Sequence, residues 1–151
     1  MKQYSFYNVD LLIDGVTIDG YSDSAAIITA SRSAPQHGKV MDARGKMVAI
    51  TSADKSGVIT FDLLQTSDSN AFMQILAMAS HEQGTSGSAD TFLPVQAAII
   101  DKMGITAVAG VNGFITMQPG VVRGTGIATN TWVMEFEQIW LTRGLSTDVG
   151  L

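Results

Sequence analysis

Residues 57–80 read GVITFDLLQTSDSNAFMQILAMAS, and their pattern decides the fold class. Ile59, Phe61 and Leu63 alternate with Val58, Thr60 and Asp62, which is the period of a strand, with the first set predicted to face a core. Ser67, Asp68, Ser69 and Asn70 then interrupt the strand and supply side-chain oxygens suited to capping a helix. Asp68 also suits the positive end of a helix dipole. Ala71, Phe72, Ile75, Leu76 and Ala79 follow as an i, i+4, i+8 stripe, so the spacing predicts an amphipathic helix over about 68–80, packed on a sheet.

Working outward, nearly everything else reads as strands and turns. Tyr7, Val9, Leu11 and Ile13 make one face of a strand, and Asn8, Asp10 and Leu12 the other. Asp14-Gly15 signals a hairpin with a short return over 16–18, and Asp19-Gly20 a further turn. Residues 25–31 and 46–52 read as strands. Between them 32–45 (RSAPQHGKVMDARG) reads as a long loop, a length that often carries function. Residues 81–90 read as a mobile polar loop. A strand over 92–100 turns at 101–104. Asn112-Gly113 signals a hairpin between short strands over 105–111 and 114–117. The longest strand spans 131–143, with Trp132, Met134, Phe136 and Trp140 on one face and Val133, Glu135, Glu137 and Ile139 on the other.

The expectation is a mainly β chain, a sandwich or barrel of about nine or ten strands. It has one flanking helix and the long loop, in a single domain over 1–151. Leu12, Val58, Val133 and Ile139 put apolar side chains on the second face. That face must then be covered, by the helix or by another subunit.

Composition narrows the function. Charged residues are 15% of the chain, well below the usual quarter, which fits a surface partly covered by partners. A net charge of -5 argues against holding nucleic acid by counterion release. Absence of cysteine excludes disulfides, thiolate metal sites and a cysteine nucleophile. No apolar run approaches the ~20 residues that span a bilayer, so no membrane partner is expected.

Catalytic patterns are missing. His37 and His81 fall in loops, away from any HExxH-type spacing, so no metal is expected. Gly124-Thr125-Gly126 begins like a dinucleotide fingerprint, but position 129 is Thr and no helix follows. No cofactor is expected. Asp14, Asp19 and Asp23 read as turn residues, and Glu135 and Glu137 as a solvated acidic strip rather than a catalytic pair. The clearer signal is charge asymmetry. Segment 31–46 carries Arg32, Lys39, Arg44 and Lys46 against Asp42, a net of +3 that leaves -8 on the rest of a chain totalling -5. A basic loop on an acidic body suits docking onto the acidic surface of a neighbouring copy.

The wording at 57–80, a strand ending LLQTS, then DSN and a helix, resembles the tail-tube and related structural proteins of contractile-tailed bacteriophages. The opening YSFYNVD over 4–10 with its Asp-Gly hairpin is similar, as is TWVMEFEQIW over 131–140. The resemblance implies a structural protein, not an enzyme. Six copies would close a ring whose strands make a continuous inner wall, and rings would stack into a tube that passes DNA during ejection. Implied partners are further copies of the chain, the tail sheath, the baseplate and the tape-measure protein. The implied location is the virion tail, assembled in the host cytoplasm. Arg32, Lys39, Asp42, Arg44 and Lys46 would belong to the extension that reaches a neighbouring subunit or ring. Asp10, Asp62, Glu135 and Glu137 are the candidate lumen residues, where an acidic wall would let DNA slide. Secretion-system and bacteriocin tubes share the fold. A single-ring terminator or initiator stays open as an alternative. So does a β-sandwich module binding carbohydrate or protein, although both tryptophans are expected on the core face.

Overall fold

The structure, a computed structural model, describes residues 3–85, 94–102 and 106–143. A 3-10 turn at Phe6–Asn8 leads into β1 (Val9–Ile13) and β2 (Val16–Ile18), then β3 (Ile28–Arg32). The hairpin strands β4 (His37–Met41) and β5 (Met47–Thr51) come next, followed by β6 (Gly57–Leu64) and the helix α1 (Ser69–Thr85). Strands β7 (Val95–Asp101), β8 (Thr106–Met117) and β9 (Thr129–Arg143) complete the order.

Seven strands form one antiparallel sheet in the order β2-β1-β7-β8-β9-β6-β3, while β4 and β5 form a separate ribbon. The large sheet curls into a partly open barrel. At one end the chain passes from β2 straight to Tyr21, which bridges Leu63, so the two edges meet there. Beside that bridge Val9 of β1 and Ile28 and Ala30 of β3 line one cavity of about 510 Å3, together with Tyr4 and Phe6.

The period-two reading of β6 holds: Ile59, Phe61 and Leu63 are fully buried and face Met134, Trp132 and Asn130 of β9 in register. The helix is present, but its buried stripe is shifted by one position. Met73 and Ala77 are in the core and Phe72 and Leu76 half-buried, whereas Ile75 is 66% exposed and Ala71 and Ala79 face water. A stripe of Ser, Met and Ala was hard to see beside Ile75, although Met fills such core gaps readily. The helix start is fixed by Asn70. Its Nδ2 donates to Leu64 O at 2.7 Å and to Ser67 O at 3.2 Å, and its Oδ1 accepts from Trp132 Nε1 at 3.0 Å.

Several expectations need correction. Tyr7 belongs to the 3-10 turn and is 93% exposed, so the first strand starts at Val9. Residues 81–85 continue α1 instead of forming a loop; 86–90, 92–93 and the 103–104 part of the expected turn lie outside the described residues. The loop over 32–45 contains β4, because Lys39, Val40 and Met41 pair with Ala49, Val48 and Met47. Asn112-Gly113 is not a hairpin turn but lies within the continuous β8. Asn112 takes the left-handed region at φ 54 as part of a bulge, where β8 gains a residue against β7.

The same bulge runs through β9, where Ile139 N donates to Lys55 O one position out of step with the Gly57–Phe136 pair. Side-chain phase therefore flips between Phe136 and Ile139. Ile139 is buried and Trp140 is 46% exposed, the reverse of strict alternation.

Tyr21 ties the closed end together. Its hydroxyl donates to Ile18 O at 2.7 Å and its ring meets Phe6 edge-on at 5.2 Å. Burial, then the nearby Asp19 and Asp10 charges, raise this phenol above the usual tyrosine range. The folded chain thus holds the proton more tightly than the unfolded one. The resulting stability is full below the unfolded value near ~10 and is lost as pH climbs past it. The melting temperature should fall above about pH 10, and Tyr21→Phe should flatten that fall in a thermal-melt series; equal slopes in both proteins would refute the assignment.

Candidate functional site

The barrel's inner face is filled by the core, and α1 packs on that same side through Met73 and Ala77. The helix therefore does not cover the second face. Leu12, Val58 and Val133 sit half-buried there beside the exposed Ile100, Phe114 and Trp140. Carboxylates alternate with them. Asp10 pairs with Lys102 Nζ at 3.2 Å, Asp62 Oδ1 accepts from Thr131 Oγ1 at 2.7 Å, and Glu135 is half-buried. Glu137, at the bulge, accepts from Asn112 Nδ2 at 2.8 Å. Three of the four expected lumen residues thus share the uncovered face of regular strand, and the fourth stands on its bulge.

Backbone groups are also left over. In the β3–β6 ladder Asp62 N donates to Ile27 O and Ser33 N to Ser56 O. By alternation, Ile28, Ala30 and Arg32 direct their N–H and C=O groups away from β6. Among the described residues no strand pairs with that edge.

The β4–β5 ribbon stands off the body beyond the Gly57 end of β6, with every residue exposed. Pairing register sorts its side chains. Val40, Val48 and Ile50 lie on one face with Gly38, and His37, Lys39, Ala49, Thr51, Met41 and Met47 on the other. One face of an exposed two-stranded ribbon is therefore wholly apolar. Of the expected loop residues, Lys39 lies in β4 and Arg44 and Lys46 at the tip. Asp42 has another job: its Oδ1 accepts from Arg44 N and Lys46 N, both at 2.8 Å, and shapes the turn. Arg32 ends β3 at the ribbon's base, lining a cleft of about 290 Å3 with His37, Lys55 and Trp140. The apolar face was missed at the sequence level because Pro35, Gly38 and Gly45 masked the strand period. The alternation of Val48 and Ile50 was the available signal.

Trp140 weakens one earlier argument. It is exposed, so the tryptophans do not both face the core, and they no longer count as a pair against a binding module.

Among the described residues the antiparallel barrel thus has an uncovered face, an unpaired edge and a ribbon with an exposed apolar face, surfaces of the kind that other chains cover. The chain belongs to the bacteriophage PhiTE tail tube protein family, whose model matches residues 1–143. Among solved structures it is similar to the anti-feeding prophage cap, the AFP tube terminating cap, at 12% identity, with 95% of each chain covered and a TM-score of 0.56. It is similar to the PVC sheath/tube terminator of an extracellular contractile injection system at 12% identity, 94% of this chain and 98% of that chain, TM-score 0.56. The PVC sheath-tube complex gives 11% identity, 94% and 93% coverage and a TM-score of 0.55. At these identities the likeness is one of fold. No curated protein matches the chain.

Proposed function

We propose that this chain is the subunit of a phage tail tube. Copies close into six-membered rings, rings stack, and the central channel passes DNA during ejection. The observation that carries this reading is the uncovered sheet face, where apolar residues and carboxylates alternate in a member of a tail tube family. Such a face is open to neighbouring copies and to a channel wall. The whole chain acts as one assembling domain, with a structural and non-enzymatic role. Sheath, baseplate and tape-measure proteins are its further partners, in a virion tail built in the host cytoplasm.

The test is negative-stain electron microscopy of the concentrated protein, with light scattering on the same sample. Hollow tubes or stacked rings support the reading. Single rings assign the chain to a terminator or initiator. A 16.0 kDa monomer under all conditions overturns the tube and moves the assignment to a binding module.

Asp10, Asp62, Glu135 and Glu137 line the lumen in this reading. Duplex DNA carries about one negative charge per 1.7 Å, so an acidic wall repels it weakly and a basic wall would hold it. Asp62→Lys with Glu135→Lys should leave tube length unchanged and slow DNA release from assembled particles. Ejection at the wild-type rate would remove these residues from the lumen.

A further inference from the structure

We propose that residues 144–151 act as a strap on their own chain, seated in the cavity between β1 and β3 and laid along the unpaired edge of β3. The inference does not depend on the tube reading, because it concerns the free subunit before one copy meets another.

The barrel is one strand short at this seam. Strand β2 pairs only with Leu11, Leu12 and Ile13 of β1, and β3 pairs on one side only, with β6. Among the described residues no ladder joins β1 to β3. The cavity of about 510 Å3 lies at that gap, and its apolar lining is Val9, Ile28, Ala30, Ile99, Val108 and Leu141. Ile99 and Val108 belong to the core, yet Val9, Ile28, Ala30 and Leu141 stay half-buried. A space lined by aliphatic carbon gains from apolar side chains and offers water few partners. Beside it Ile28, Ala30 and Arg32 direct their backbone groups away from β6, a template for one more strand.

The chain carries a segment that suits both needs. Arg143 ends β9 and itself lines the cavity, so residue 144 starts at the cavity wall. Eight residues follow, GLSTDVGL. Gly144 lets the chain turn away from β9. Leu145, Thr147, Val149 and Leu151 then alternate with Ser146, Asp148 and Gly150, which is the period of a strand with one mainly apolar face. Asp148 falls on the other face, toward water. Eight extended residues span about 26 Å, enough to cross the cavity and run beside the five-residue β3. A small apolar molecule would suit the lining but leave the backbone groups of β3 unmet, whereas a strand satisfies both. The family match stops at residue 143, so these eight residues lie outside it. With the strap in place, a free subunit offers no template for stray pairing at this edge.

The experiment uses full-length variants. The chain holds no cysteine, so a pair can be placed at will. Ala26→Cys on the cavity wall is combined with Val149→Cys, and Lys46→Cys at the ribbon tip with Val149→Cys is the control. A short bismaleimide should join the first pair within one chain, at a yield that dilution does not change, and should not join the control pair. A further variant carries Leu145→Asp and Val149→Asp, and circular dichroism establishes that it folds. Amide hydrogen exchange is followed by NMR at a concentration where light scattering shows the monomer. Wild type should protect the Ile28, Ala30 and Arg32 amides, and the aspartate variant should exchange them about 10-fold faster or more, with the Met134 and Phe136 amides unchanged. Cross-links between chains only would assign the segment to a neighbouring copy and overturn the proposal. Absence of any cross-link in the first pair, or equal exchange in wild type and the aspartate variant, would overturn it too. Rings and tubes are scored separately, on concentrated wild type, so the tube reading and the strap fail independently.

Discussion

Trp132→Ala should lower the stability of the chain by about 3–5 kcal/mol. Trp132 is the largest fully buried side chain and is 2% exposed. It stands opposite Phe61 on the core face of β9, so its removal opens a cavity between β9 and β6. It also orphans Asn70 Oδ1, which receives the indole N–H at 3.0 Å at the start of α1. The loss therefore adds an unmet hydrogen bond to a void, and it loosens the helix start as well as the sheet. A domain of this size holds about 5–15 kcal/mol in all. The melting temperature should drop by roughly 10 °C. Trp132→Phe fills most of the void but leaves Asn70 unpartnered, and should cost about 1–3 kcal/mol. Urea unfolding of the three proteins by circular dichroism measures both. If Trp132→Phe were as stable as wild type, the indole–Asn70 bond would be energetically idle.

Gly113→Val should be as damaging for the opposite reason, too much matter. A Cβ built on Gly113 overlaps the Phe136 ring, and one on Gly110 comes within 2.8 Å of it. Phe136 is 1% exposed and lies over the bulge of β8, so the ring has nowhere to swing. Overpacking a fixed core costs about 1–3 kcal/mol and more when backbone must shift, which places this substitution at or above about 3 kcal/mol. Shortening the ring partner tests the cause. Gly113→Ala with Phe136→Leu should be more stable than Gly113→Ala with Phe136 intact, read from urea midpoints. The reverse order would show that the glycine serves backbone conformation and not the ring.

These two sites also show where the sequence was legible. Strict alternation in Ile59–Phe61–Leu63 and in Trp132–Met134–Phe136 placed β6 and half of β9 correctly, because the β6–β9 ladder runs unbroken from Gly57 to Leu64 and keeps the period at two. It failed at Ile139 and Trp140, where one extra residue flips every later side chain. Asn112-Gly113 carried a true signal with the wrong consequence. Asn takes the left-handed region in a turn and in a bulge alike, and only the partner strands decide which. The ribbon at 37–51 was half seen, since its charges and glycines resemble a loop. Its apolar face became visible only once Val40 and Val48 were placed side by side. Of the candidate site, the charge asymmetry was on the page from the start. That the cations gather on a ribbon beyond the Gly57 end of β6 while Asp10, Asp62 and Glu135 share the outer sheet face follows from pairing between distant segments, which no local pattern encodes.

The place of β1 in the sheet has a consequence for how the molecule is made. Its main partner is β7, with Val9 opposite Asp101. Translation at roughly 5–20 residues per second separates those two residues by on the order of ten seconds. Through that interval Leu11 and Ile13 have only the three-residue β2 beside them. The first strand born is thus among the last to seat. Leu11 and Ile13 are where shielding by a chaperone, or spacing between neighbouring ribosomes on one message, has the most to protect.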